Sequence, residues 1–127
     1  MQSYLGKTKY LEAMVDITIT EEIEIDDQNY GITVVFLENA ISLFIYEESP
    51  IFGTFSVSVP GTSIMPASTL YITGSKNEQF VRIIGERLAT KLQKLVLVSL
   101  NIQDISNDLL MKIMNKIESD VLEKKNE

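Results

Sequence analysis

The chain has 127 residues and a formal charge of −7, and it contains neither histidine nor cysteine. Such a length suits one domain that buries about two-thirds of its unfolded surface. Lacking these residues, it has no disulfide, thiol nucleophile, imidazole base or usual transition-metal ligand, and its acidity argues against binding a phosphate backbone, which takes clustered Lys and Arg.

No secretory apolar stretch follows Met1 and no apolar run approaches ~18 residues, so a soluble intracellular protein without a spanning helix is expected. Charge is unevenly spread. Residues 10–75 carry ten carboxylates and no Lys or Arg, whereas the rest holds all 11 basic residues against eight acidic ones.

Residues 1–127 form one expected domain, with flexible ends at 1–13 and 123–127. From Val15 to Ile25 apolar odd positions alternate with polar even ones, predicting a half-buried strand. Glu21 breaks the alternation and predicts a bend or bulge there. The stretch DDQNYG reads as a polar turn. ITVVFL (32–37) and ISLFIY (41–46) predict a tight antiparallel hairpin whose strands are apolar on both faces. GTFSVSV (53–59) alternates Phe55, Val57 and Val59 against Thr54, Ser56 and Ser58, so its polar side tolerates water or a polar contact. PGTSIMPAS is a loop, and a short strand follows around TLYIT.

Ser75 to Glu78 reads as a capping box opening a helix. Its buried stripe is Val81, Ile84, Leu88 and Leu92, flanked by Phe80, and Gly85 and Ala89 allow close approach to a sheet. LVLVSL (95–100) is then a strand whose continuous apolar run needs cover on both faces. A second helix, capped by Asp104 or Ser106, buries Leu110, Ile113, Met114, Ile117 and Val121. The fold class is therefore α+β: a six-stranded, mainly antiparallel sheet with two helices packed on one face, in the order β-β-β-β-β-α-β-α. Two helices cover about one face of such a sheet, and the second apolar face needs another layer.

Asp26-Asp27 reads as a solvated turn more readily than as half of a metal or acid/base site, because adjacent residues on a turn point apart. Phe44 and Tyr46 share a strand face opposite Leu43 and Ile45, and so line either a partner surface or an internal pocket. Ile83, Met111 and Leu122 lie away from the buried helical stripes and are further partner-contact candidates. Arg87, Lys91 and Lys94 share one helix flank, which solvation alone would explain. Glu21, Glu22, Glu24, Asp26 and Asp27 are candidates for electrostatic steering of a partner. No catalytic residue, metal site or cofactor is predicted.

The segments MPASTLYITG (65–74), GERLATKLQKLVLVSLNIQ (85–103) and SNDLLMKIMNKIESDV (106–121) resemble the proteasome assembly chaperone 4 family and its fungal counterparts. The hairpin from Ile32 to Tyr46 fits more weakly, so the likeness spans roughly residues 32–121. It implies a non-enzymatic α+β protein that pairs with proteasome assembly chaperone 3. The heterodimer would bind proteasome alpha subunits, notably alpha-5, to guide alpha-ring assembly of the 20S core particle, and leave before the mature particle is complete. It also implies a location in the cytoplasm and the nucleus. The long acidic segment is not explained by the resemblance. A small-molecule or lipid carrier, with the sheet curled around its own apolar pocket, is the competing expectation, and no constellation supports an enzyme.

Overall fold

The computed structural model describes residues 18–74 and 76–123. Ser75, the start of the first predicted strand and the predicted flexible ends lie outside them, apart from Glu123, which sits in the last helical turn.

Six strands form one sheet: β1 (Thr18–Ile25), β2 (Gln28–Phe36), β3 (Ala40–Glu47), β4 (Thr54–Val59), β5 (Ser68–Thr73) and β6 (Leu95–Asn101). Their spatial order is β1-β2-β3-β6-β4-β5. All neighbours are antiparallel except β3 and β6. Two helices, α1 (Glu78–Leu92) and α2 (Asn107–Lys116), complete the predicted order, and α2 continues into a π-helical turn over Ile117–Val121.

Both helices pack on the same face. There Ile32 and Val34 of β2, Ile41, Leu43 and Ile45 of β3, and Val96, Val98 and Leu100 of β6 meet Val81, Ile84 and Leu88 of α1 and Ile113, Met114 and Ile117 of α2 and its extension. The predicted helical stripes are thus the ones buried, with Leu92 only partly so.

Local geometry departs from expectation at five places. β1 pairs with β2 without interruption, so Glu21 makes no bulge. Its side chain instead lies half-buried on the helix-facing side with Ile19 and Ile23, and an inward-pointing charge is a common way to blunt an edge strand. The irregularity falls between Val57 and Ser58, where β5 carries an extra residue. The polar turn is only Asp26-Asp27, both at positive φ (52° and 66°), as a two-residue type I′ hairpin requires. Gln28 to Gly31 already belong to β2.

The third departure is the start of α1, where Asn77, not Ser75, is the N-cap. It adopts φ 62°, a left-handed conformation that Asn tolerates, and its amide donates to the Ile102 carbonyl at 2.8 Å instead of capping. Of the two predicted caps of α2 it is Ser106 that serves, its hydroxyl accepting from the Leu109 N–H at 3.1 Å. Fourth, Leu122 is buried at 6% exposure. Its N–H bonds to the Ile117 carbonyl, and this i to i−5 step rotates Leu122 into the core rather than to the outer face.

The fifth concerns β4, whose polar side meets a polar contact rather than water. Thr54, Ser56 and Ser58 are the buried side, and Phe55, Val57 and Val59 are the half-exposed one. The serines lie beneath α1 because the helix comes very close at Gly85, where a Cβ would sit 3.1 Å from Ser58 Cβ and inside contact distance of Ser58 Oγ. Their polar groups are satisfied: Ser56 Oγ donates to the Val81 carbonyl (3.4 Å), Ser58 Oγ bonds Thr69 Oγ1 (2.9 Å), and Thr69 Oγ1 donates to Glu86 (2.5 Å).

Candidate functional site on the open face of the sheet

With both helices on one side, the register sets out the other side row by row. Thr18, Val35, Ser42, Leu97, Val57 and Tyr71 form one row across all six strands. Thr20, Thr33, Phe44, Ser99, Phe55 and Thr73 form the next, and Glu22, Gly31, Tyr46 and Asn101 the third. Large apolar residues therefore alternate with short Thr and Ser side chains. Such a surface has the relief to interdigitate with a second layer, and it keeps the isolated sheet from presenting an unbroken greasy plane.

The alternation of β4 strengthens this face. Turning its serines toward α1 adds Val57 beside Leu97, and Phe55 across Ser99 from Phe44. Tyr46 is held in place: its ring occupies the space a Cβ on Gly31 would take, and its hydroxyl lies 3.3 Å from Thr33 Oγ1, which is in turn 3.1 Å from Thr20 Oγ1. The loop 48–53 crosses the end of β6 to reach β4, and brings Ile51 and Phe52, 57% and 61% exposed, to the edge of the same face. The Phe52 and Phe55 rings sit 5.4 Å apart. Pro50, Ile51, Phe52, Thr33, Phe44 and Tyr46 enclose a shallow depression of about 190 Å³.

Electrostatics divide this surface. Glu22 and Glu24 are exposed on the open-face side of edge strand β1, and Asp26 and Asp27 extend beyond it at the turn. Burial, followed by the Glu47, Asp26 and Glu48 carboxylates, pushes the nearby Tyr30 phenol above its usual range. The far side, by contrast, is uncharged: no Asp, Glu, Lys or Arg occurs from Ser49 to Ser75. Among the described residues no group of three or more carboxylates could hold a metal ion.

Of the predicted contact residues, the structure brings Phe44 and Tyr46 together on the open face. Ile83 and Met111 are exposed, at 47% and 46%, but on helices, across the sheet from that face. Leu122 belongs to the core. The five steering carboxylates do not form one patch, because Glu21 points to the helix side while Glu22, Glu24, Asp26 and Asp27 remain exposed. The basic flank of α1 is not merely solvated: Arg87 Nε meets Glu118 Oε1 at 2.7 Å and Lys91 Nζ meets Oε2 at 3.7 Å, tying α1 to the π turn. Sequence reasoning marked the strands of Val35 and Leu97 as apolar on both faces, but missed Phe55, Val57, Ile51 and Phe52 as surface residues. The small Gly85 and Ala89 on α1 were the available signal, because a helix that close to the sheet needs short side chains such as serine beneath it.

No family model matches the chain, and no curated protein matches it. Among solved structures it is similar to a chain of the crystal structure of a novel chaperone complex for yeast 20S proteasome assembly. The TM-score is 0.65, covering 85% of this chain and 95% of that one, at 14% identity. At that identity the likeness establishes a shared fold.

Proposed function

We propose that this protein is a non-enzymatic assembly chaperone whose open sheet face pairs with a related subunit, proteasome assembly chaperone 3. The pair binds proteasome alpha subunits, notably alpha-5, and promotes alpha-ring assembly of the 20S core particle in the cytoplasm and nucleus. The observation that carries the reading is the one-sided sheet: Phe44, Tyr46, Phe55, Val57 and Leu97 stand on a face that no helix among the described residues covers. Its shared fold with a chain of a 20S assembly chaperone complex supports a role in proteasome assembly. A carrier is less well supported, because the side chains of Ile32, Leu43, Ile84, Leu88, Val98 and Ile113 under the helices have no exposure, and the larger surface depression, about 330 Å³, is lined by Gly61, Thr62, Ser63, Thr90 and Gln93 beside Met65, Pro66 and Ala67, not by the predominantly apolar side chains of a small-molecule pocket.

The exposed carboxylates of β1 and its turn favour encounter with a basic surface, through the association rate more than the final affinity. Salt should therefore slow association and leave dissociation nearly unchanged.

Co-expression with proteasome assembly chaperone 3, followed by light scattering, tests the pairing. A 1:1 complex burying on the order of 1,200–2,000 Å² is expected, and affinity purification should bring down alpha subunits without mature beta subunits. A monomer at high concentration that ignores this partner would contradict the proposal.

A further inference from the structure

We infer that the depression enclosed by Thr33, Phe44, Tyr46, Pro50, Ile51 and Phe52 is an anchor pocket. It receives one large apolar side chain, a Leu, Met or Phe, from the facing sheet of the pairing subunit. This inference rests on the pairing reading and names one point of the open face that carries a large share of its binding energy.

Size is the first argument. A dry apolar cavity of about 150 Å³ accepts one benzene, so a space of about 190 Å³ matches one such side chain. Its construction is the second. Thr33 is a short floor beside Phe44 in the same cross-strand row, and the Thr33–Tyr46 bond fixes the adjoining ring. The wall formed by the 48–53 loop is anchored where Gly53 N–H donates to Ser99 Oγ at 2.9 Å. At Gly53 the backbone also lies so close to β6 that a Cβ would fall 2.8 Å from Asn101 Cα. Phe52 leans on Phe55, so Pro50, Ile51 and Phe52 hang from a fixed point.

Chemistry is the third. None of the six lining residues is charged, and the Tyr46 hydroxyl already has Thr33, so the pocket favours a hydrocarbon over an ammonium or guanidinium. Facing sheets pack about 10 Å apart with interdigitating side chains. One side chain reaches this depth without a loop having to enter. Pockets of this kind, rigid and desolvated on closure, concentrate interface energy.

The test measures binding of purified proteasome assembly chaperone 3 by calorimetry, with a thermal melt of every variant. Thr33→Leu fills the pocket, and Ile83→Ser, at an exposed position of α1 across the sheet from the pocket, is the control. Ile51→Ser removes a wall from a 57% exposed position and gives a second reading if Thr33→Leu folds poorly. Thr33→Leu and Ile51→Ser should bind about 10- to 100-fold more weakly, and Ile83→Ser within about twofold of wild type. Truncating the anchor in the pairing subunit to Ala should weaken binding to wild type yet cost little against Thr33→Leu. If Thr33→Leu and Ile51→Ser bind like wild type while Leu97→Ser is impaired, pairing through the open face stands and the pocket is refuted. If wild type does not bind at all, both readings fall.

Discussion

Leu97 and Val98 are neighbours whose side chains leave opposite faces of β6, which makes them an internal control for the two-sided sheet. Val98 is fully buried. Val98→Ala removes two methyl groups worth about 0.8 kcal/mol each in transfer, and adds a cavity cost near 24 cal/mol per Å³. Together these come to about 2–3 kcal/mol, or a Tm roughly 6–15 °C lower. Leu97 is half-buried, between Ser42 and Val57, so Leu97→Ala in the isolated chain should cost about 1 kcal/mol or less. Once a second sheet covers it, the same truncation should cost about 2–3 kcal/mol of binding, a 30- to 150-fold weaker Kd on the order-of-magnitude scale. Melts of the isolated chain and calorimetry with proteasome assembly chaperone 3 separate the two effects. Equal Tm losses for both variants, or a Kd untouched by Leu97→Ala, would refute the argument that the face is open in the monomer and covered in the pair.

Gly→Ala inside a helix ordinarily gains about 1 kcal/mol. At Gly85 the new methyl must push Ser58 Oγ, which is buried and bonded to Thr69, so Gly85→Ala should instead destabilise by about 1–3 kcal/mol in denaturant titrations, and adding Ser58→Ala should recover part of the loss. A second measurement concerns acid. Hydrogen bonds from Arg87 hold the Glu118 carboxyl below its usual range. Its folded pKa is thus lower than its unfolded one, so the stability it contributes is present above the unfolded value, about 4.3, and is lost as pH falls through the folded value. Glu118→Gln should flatten stability against pH below that point; an unchanged acid limb would remove the ion pair from the account.

Periodicity and spacing were enough to reveal the six strands, two helices and their buried stripes, because a core-facing residue repeats every two positions in a strand and about every 3.6 in a helix regardless of what it packs against. The uncovered layer was legible for the same reason: Leu95 to Val98 and the β2–β3 hairpin are apolar at consecutive positions, and two helices cannot reach both faces. Periodicity does not reveal which side of an alternating strand is inward. In β4 the choice fell to the approach of α1 at Gly85, a contact between residues 27 positions apart, and it moved Phe55 and Val57 outward against the usual hydrophobic rule. Leu122 was decided in a similar way by one π turn, which shifts helical phase without a sequence signature. The pocket required the crossing of the 48–53 loop over β6, because Ile51 and Phe52 come beside Thr33 only through tertiary packing.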